Sequence, residues 1–457
     1  MPKSSAHTAM LWTVAGGFFM QALDTTIVNT ALPSIARSLG VSALEMHPVV
    51  VAYTLTMALL TPASGWLSDR FGSRRVYFVS ILLFVLGSIF CAAAQSLPQL
   101  VAARVVQGVG GAMLLPVGRL AVLRTVRGEA YVAALAMISI AGQVGPILGP
   151  TLGGWFVQSM TWHAIFLINV PVGILGLIGV WKFMPDDSLP EAPRFDWVGG
   201  GLLSLCMVSF SLALESPVQS NRLLVSGTLV AVSILAVCAY VAHARRRPDP
   251  LFRLSLFQTP NFSVGLLGNL VCRVGSSAVP FLLPLLMQLQ LGYSPLHSGL
   301  MLLPAAIAGT FAKGWIAPLL RRHGYSAFLV WNTVIVGASI VAFATFSAVT
   351  PLWIEILVMC VFGASNSMQF AAMNGVTLKE LSPRDAGSGN SLFSMVQMLA
   401  MGLGVSIGGG LVSLFAAGGD AGHAFRIAFV VVGMVTLASA LVFRRIDVPG
   451  APQPQPA

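Results

Sequence analysis

Residues 21–33 read QALDTTIVNTALP and place one aspartate, Asp24, inside a stretch otherwise suited to lipid. The apolar segment around it, residues 11–33, has about the length a helix needs to cross a hydrocarbon core of ~30 Å. A carboxylate at that depth is costly to desolvate, so such residues face a bundle interior and mark ion or proton paths. The competing reading is a static ion pair that stitches two helices together. Both readings require a membrane helix bundle around Asp24.

Composition supplies that bundle. Of 457 residues, 56% are hydrophobic and only 9% charged, with a mean hydropathy of +0.84. A soluble chain carries about 25% charged residues, because its surface must face water. With windows of roughly 20 apolar residues, fourteen spans are expected, near 11–33, 47–67, 76–96, 98–123, 130–158, 162–184, 197–215, 223–243, 262–290, 297–320, 325–347, 351–378, 387–416 and 424–444. The fold class expected is an all-α polytopic membrane protein.

The formal net charge of +10 sits in short stretches between spans. SDRFGSRR (68–75), RTVRGE (124–129), HARRRPDPLFR (243–253), RRHG (321–324) and FRRID (443–447) alternate with loops such as GYSPLHSG (292–299) that carry almost none. By the positive-inside rule the basic loops and both termini face the cytoplasm. This distribution also excludes a nucleic-acid surface, which needs a basic patch with interleaved aromatics. The opening MPKSSAHTAMLWTVAGG lacks a short apolar core followed by a small-residue cleavage site, so the first span is expected to anchor the chain itself. The five cysteines lie far apart in apolar segments, with no metal-ligand spacing and no disulfide pattern.

An internal repeat is visible. ALPSIARSLGVS (31–42) is echoed by LLPLLMQLQLGYS (282–294), and GWLSDRFGSRR (65–75) by GWIAPLLRRHG (314–324). Repeated halves with a site near the membrane midplane are how secondary transporters are built. The expected domains are a six-helix bundle at 1–184, an inserted helix pair with cytoplasmic linkers at 185–252, a second six-helix bundle at 253–445 and a disordered tail at 446–457.

LDTTIVNTALP in span one, GWLSDRFGSRR after span two, LVAARVVQGVGGA (100–112) in span four, GQVGPILGPTLGG (142–154) in span five, WHAIFLINVPVG (162–173) and RFDWVGGGLL (194–203) occur in that order. Together they resemble the fourteen-span drug:proton antiporters of the major facilitator superfamily. The resemblance covers most of the first half, while the second half follows in span layout and in the degenerate loop motif. It implies a major facilitator fold, two pseudo-symmetric six-helix bundles plus two inserted helices, and proton-coupled export of drugs or xenobiotics. It also implies a multi-pass protein of the bacterial inner membrane, driven by the proton gradient without a cofactor and working as a monomer on a small-molecule substrate.

Within that frame Asp24 is expected to carry the coupling proton and Arg104 to tune it. Burial favours the protonated form of a carboxyl and a nearby cation the ionised form, so separating the two groups would switch the proton on and off. A permanent Asp24–Arg104 pair is the alternative. Gln21, Thr25, Asn29, Gln107, Gln143, Arg273, Asn366, Gln369, Asn390 and Gln397 are polar positions expected to line the substrate cavity, although hydrogen bonding between helices competes for each. Gly65, Asp69, Arg70, Gly72, Arg74 and Arg75, with Arg119 as a partner, are expected to form a cytoplasmic gate and also serve as a topogenic loop. Gly142, Gly145, Pro146, Gly149, Pro150, Gly153 and Gly154 form the antiporter-motif helix, where small residues four apart let backbones touch and prolines bend the segment. Glu355 is expected at the outer interface. The deep charges are then one acid, Asp24, against Arg104 and Arg273, a balance that favours an organic anion or anionic metal chelate where the resemblance favours drugs. A proton-independent facilitator remains a third possibility.

Other classes lack their parts. There is no Walker loop, no HExxH pair and no GxSxG elbow, so neither ATP drive nor an enzyme is expected. No filter loop or ring of like charges suggests a channel.

Overall fold

The computed structural model describes residues 3–126, 129–186, 195–215, 222–379, 381, 386–416 and 421–446. Within them, positions 3–7, 123, 129–140, 143, 214–215, 222–223, 378–379 and 386–387 are described by backbone alone. The expected tail from 447 onward lies outside these residues, as does the linker at 187–194.

Fourteen long helices account for almost all of the described chain. They are α1 Lys3–Leu39, α2 Ala43–Phe71, α3 Ser73–Ala93, α4 Leu97–Thr125, α5 Glu129–Ser159, α6 Ala164–Phe183 and α7 Trp197–Glu215. The rest are α8 Arg222–Arg246, α9 Pro260–Leu289, α10 Pro295–His323, α11 Tyr325–Ala342, α12 Leu352–Lys379, α13 Ala386–Ala416 and α14 Ala421–Phe443. Among the described residues eleven spans are long and apolar enough to cross a bilayer, and Trp197–Ala213 is a shorter apolar helix. With α1 and α5 they match the fourteen expected spans one for one.

The repeat seen in sequence is carried by glycines. Among the described residues four glycines have positive φ, namely Gly40 (69°), Gly72 (84°), Gly292 (69°) and Gly324 (74°). Gly292 and Gly324 each follow their first-half counterparts by 252 residues. Only a residue without Cβ enters this backbone region cheaply. Gly72 closes a one-turn 3₁₀ element and an eight-residue helix, Thr61–Ala63 and Ser64–Phe71, with its N–H donated to the Ser68 carbonyl at 2.9 Å. Gly324 does the same after Lys313–Trp315 and Ile316–His323, donating to Leu320 at 2.9 Å. The echo quoted by its GW pair is offset by three residues from this structural register.

The chain divides into two compact units, Met1–Val208 with Pro284–Leu303, and Ser209–Leu283 with Pro304–Ala457. In the first unit α1 and α5 pack with almost no gap. A methyl on Gly145 would lie 2.6 Å from the Leu23 amide nitrogen, and methyls on Gly149 and Gly153 would overlap Thr26 and the Ile27 carbonyl. Pro146 and Pro150 sit inside α5, which continues through both. Thr30 donates to the Pro150 carbonyl at 3.2 Å, and Gln288 donates to the Thr30 carbonyl at 2.8 Å. Gly154 abuts Pro295, and Gly299 abuts Pro150. Two motif glycines behave otherwise, because a methyl at Gly65 or Gly142 would meet nothing within 4 Å. Close approach is therefore not what those two positions provide.

In the second unit Asn332 of α11 donates to Gln369 of α12 at 2.7 Å, and Gln369 donates to Thr333 at 2.6 Å. These amides are fully buried, since an unpaired polar group between apolar helices would be costly.

Candidate functional site

Asp24 ends at the centre of a buried polar cluster to which five helices of the first unit contribute. Its Oδ2 accepts from Arg104 Nη1 at 2.6 Å, and its Oδ1 accepts from Gln107 Nε2 at 2.8 Å and from Asn169 Nδ2 at 3.1 Å. Ser88 Oγ accepts from the same two amides, at 2.8 Å from Gln107 and 3.2 Å from Asn169. Arg104 also donates to Gln107 Oε1 at 2.6 Å and, through Nε, to the Val49 carbonyl at 3.2 Å. Its guanidinium carbon lies 4.1 Å from the centre of the Tyr53 ring. Asp24, Gln107 and Ser88 are 0% exposed, and Arg104 and Asn169 are 1% exposed. Water reaches none of them.

Local sequence explains the convergence. Arg104 and Gln107 are three apart on α4 and share a face, so one helix supplies both the cation and an amide. Opposite them, Gly87 on α3 lets the α4 backbone approach so closely that a methyl there would lie 2.5 Å from Gln107. That approach brings Ser88 under the Gln107 amide. Asn169 comes from the first turn of the second segment of α6, Asn169–Phe183.

Electrostatically the cluster is a neutral pair wrapped in dipoles. Burying a lone carboxylate in a medium this dry is costly, and pairing it with a guanidinium and with amide donors offsets that cost. Three N–H groups fill most of the carboxylate's roughly four acceptor directions, two on Oδ1 and one on Oδ2. The arrangement is thus a closed latch between α1 and α4.

The remaining expected cavity residues divide. Thr25 and Asn366 are half-buried, and Asn390 is exposed. Gln21 and Asn29 are 8% and 7% exposed, each with its amide oxygen unpartnered. Gln107 and Gln369 face no cavity, because both are consumed in buried networks. Gln397 donates to Asn374 at 2.8 Å, tying α13 to α12. Arg273 is half-buried, with its guanidinium carbon 3.9 Å from the Phe370 ring centre. Gln143 lies outside the described side chains. Glu355 is 0% exposed, one helical turn inside the start of α12.

At the basic turn the ion pair of Asp69 is with Arg124, five residues beyond the expected Arg119. Arg119 instead lies over Phe18, 6.0 Å from its ring centre. Arg124 is in the last turn of α4, and that extra turn carries it to the α2–α3 corner. Arg74 donates to the Trp181 carbonyl, Arg75 lies 3.9 Å from Asp186, and Arg70 is exposed. The arginines thus spread over three helices and do not cluster on Asp69.

Sequence reasoning missed Asn169, Ser88, Tyr53 and Arg124. Asn169 had a signal, as an amide in the middle of the apolar run FLINVPVG. Ser88 had none, because a lone serine in an apolar helix usually bonds its own backbone.

A bundle of fourteen membrane helices with an internal repeat and a dry ion pair between its spans defines a multi-pass secondary transporter. The chain belongs to the Major Facilitator Superfamily, whose description it matches over residues 14–405 and again over 265–457. It is therefore a carrier of small molecules and not an enzyme. Among its relatives, a protein of Citrobacter koseri named "Putative multidrug resistance protein MdtD" is 46% identical over 95% of this chain and 94% of its own length. The protein of that name from Pectobacterium atrosepticum is 43% identical over 98% and 97%. Among solved structures, the nucleoside transporter NupG superposes with a TM-score of 0.66 at 13% identity, covering 96% of this chain and 98% of that one. The human organic anion transporter MFSD10 does so with a TM-score of 0.61 at 15% identity, covering 97% and 100%. At these identities the two structures speak for the fold alone.

Proposed function

We propose that the protein exports small drug-like molecules across the bacterial inner membrane in exchange for protons, by alternating access, with both termini in the cytoplasm. The observation that carries this reading is the Asp24–Arg104 pair, fully buried and held by Gln107 and Asn169. A charged pair in a membrane helix bundle is expensive to maintain and earns a functional reading by default. The relatives' names supply the drug class, and the resemblance supplies outward direction and proton exchange. Twelve helices form the two repeated halves in this reading, and α7 and α8 are the inserted pair. The unit works as a monomer without a cofactor, drawing its energy from the proton gradient. Asp69 with Arg124 then acts at the cytoplasmic mouth, holding the ends of α2 and α4 together in one state and releasing them in the other.

The test is substrate-driven proton exchange in everted membrane vesicles. Vesicles are acidified by respiration and followed with a quenched acridine dye, and cationic, neutral and anionic compounds are added in turn. Dye recovery on adding a compound, absent in vesicles without the protein, supports exchange. Compound movement without dye recovery would make the protein a facilitator.

A further inference from the structure

The second unit holds an arginine that the latch does not use. Arg273 lies thirteen residues from Pro260 and sixteen from Leu289 within α9. That is about 20 Å along the axis from the nearer end, farther than its side chain reaches. No ion pair joins it to an acid among the described residues. Its Nε is buried without an acceptor. One turn earlier on the same helix, Asn269 is 0% exposed and neither its amide oxygen nor its nitrogen has a partner. The guanidinium carbon lies over the Phe370 ring, 3.9 Å from its centre. On α12, Asn366, Phe370 and Asn374 are four apart and all half-buried, so Phe370 belongs to a mixed polar and aromatic face.

The repeat gives the position independent meaning. Arg273 precedes Gly292 by nineteen residues, as Gln21 precedes Gly40. Gln21 lies one turn before Asp24, and its Oε1 is also unpartnered. The two halves thus place an unsatisfied polar side chain at the same repeat position, neutral in the first and cationic in the second.

We infer that Arg273 and Asn269, backed by Phe370, form a binding subsite for the carboxylate of an amphipathic organic anion. The planar guanidinium fork matches a carboxylate bidentately, the Asn269 amide adds a donor, and the ring receives the apolar body. A phosphate or a lone inorganic anion would use the fork and leave the ring idle. As a statement about cargo this rests on the exporter reading, but binding itself does not.

The experiment compares 1-naphthoate with neutral 1-naphthamide, titrated calorimetrically into the full-length protein in nanodiscs. The expected result is naphthoate binding tighter by on the order of tenfold or more. Arg273→Gln should bring the ratio near one while keeping naphthamide affinity, and Arg273→Lys should keep a reduced preference because the fork is lost. Equal binding of the two probes to the native protein overturns the subsite, as does a preference that survives in Arg273→Gln. The native comparison decides the question even if Arg273→Gln does not fold. Naphthoate preference without proton exchange for any compound in vesicles would sink the exporter reading and leave the subsite standing. Exchange of cationic dyes with equal probe binding would do the reverse.

Discussion

Replacing Asp24 by asparagine keeps the shape of the side chain and removes one charge from a cluster without water. If the carboxylate is ionised, the change leaves Arg104 as an uncompensated cation at 1% exposure. Breaking one partner of a buried ion pair typically costs about 3–5 kcal/mol. If Asp24 were instead a neutral acid, only a hydrogen bond between neutral groups would change, and such bonds between membrane helices average about 0.6 kcal/mol. The two charge states differ by several-fold in predicted cost, so stability alone separates them. The assay is equilibrium unfolding in mixed micelles of the native protein, Asp24→Asn, Arg104→Gln and the double variant. The account predicts a loss of about 3 kcal/mol or more for each single change and recovery of most of it in the double. A single loss near 0.6 kcal/mol, or a double equal to the sum of the singles, would refute the ion pair.

Three further outcomes follow from the packing and the turns. Gly145→Ala and Gly153→Ala force atoms into the α1 backbone and should each cost about 1–3 kcal/mol, whereas Gly142→Ala, with open space, should be neutral or stabilising by up to about 1 kcal/mol; the same unfolding assay reads all three. Gly72→Ala and Gly324→Ala place a Cβ at φ values of 84° and 74° with extended ψ and should each cost about 1–3 kcal/mol. A much larger loss at one of the pair would break the equivalence of the halves. Asp69→Asn removes a part-exposed ion pair with Arg124 and should cost no more than about 1 kcal/mol in stability, yet slow dye recovery in vesicles; unchanged exchange would reduce this corner to a topogenic loop.

How much of this was legible beforehand varies by kind of signal. The helices were readable because each span is a long apolar run bounded by Gly, Pro or charge, and membrane helices need little more than that. Asp24 and Arg104 were readable because a charge in lipid has few explanations. What surrounds them was not. Gln107 looks like a cavity residue on a helical wheel, and only the approach of α3 at Gly87 turns its amide onto Asp24 and Ser88. Gln369 failed in the same way, because α11 supplies Asn332 and Thr333 to it across a helix interface that periodicity does not specify. Arg124 was passed over for Arg119 because a loop motif gives no measure of how far α4 extends beyond the membrane.

The central claim is that Asp24 changes protonation when substrate binds. Substrate-induced difference infrared spectroscopy on reconstituted protein reads this directly, with Asp24→Asn as the control. The account predicts that adding an exported compound opens the pair, raises a carboxylic-acid C=O band and removes carboxylate bands, and that both features vanish in the variant. An identical difference spectrum in Asp24→Asn would place the coupling group elsewhere, and no carboxyl change in either protein would contradict proton exchange at this site.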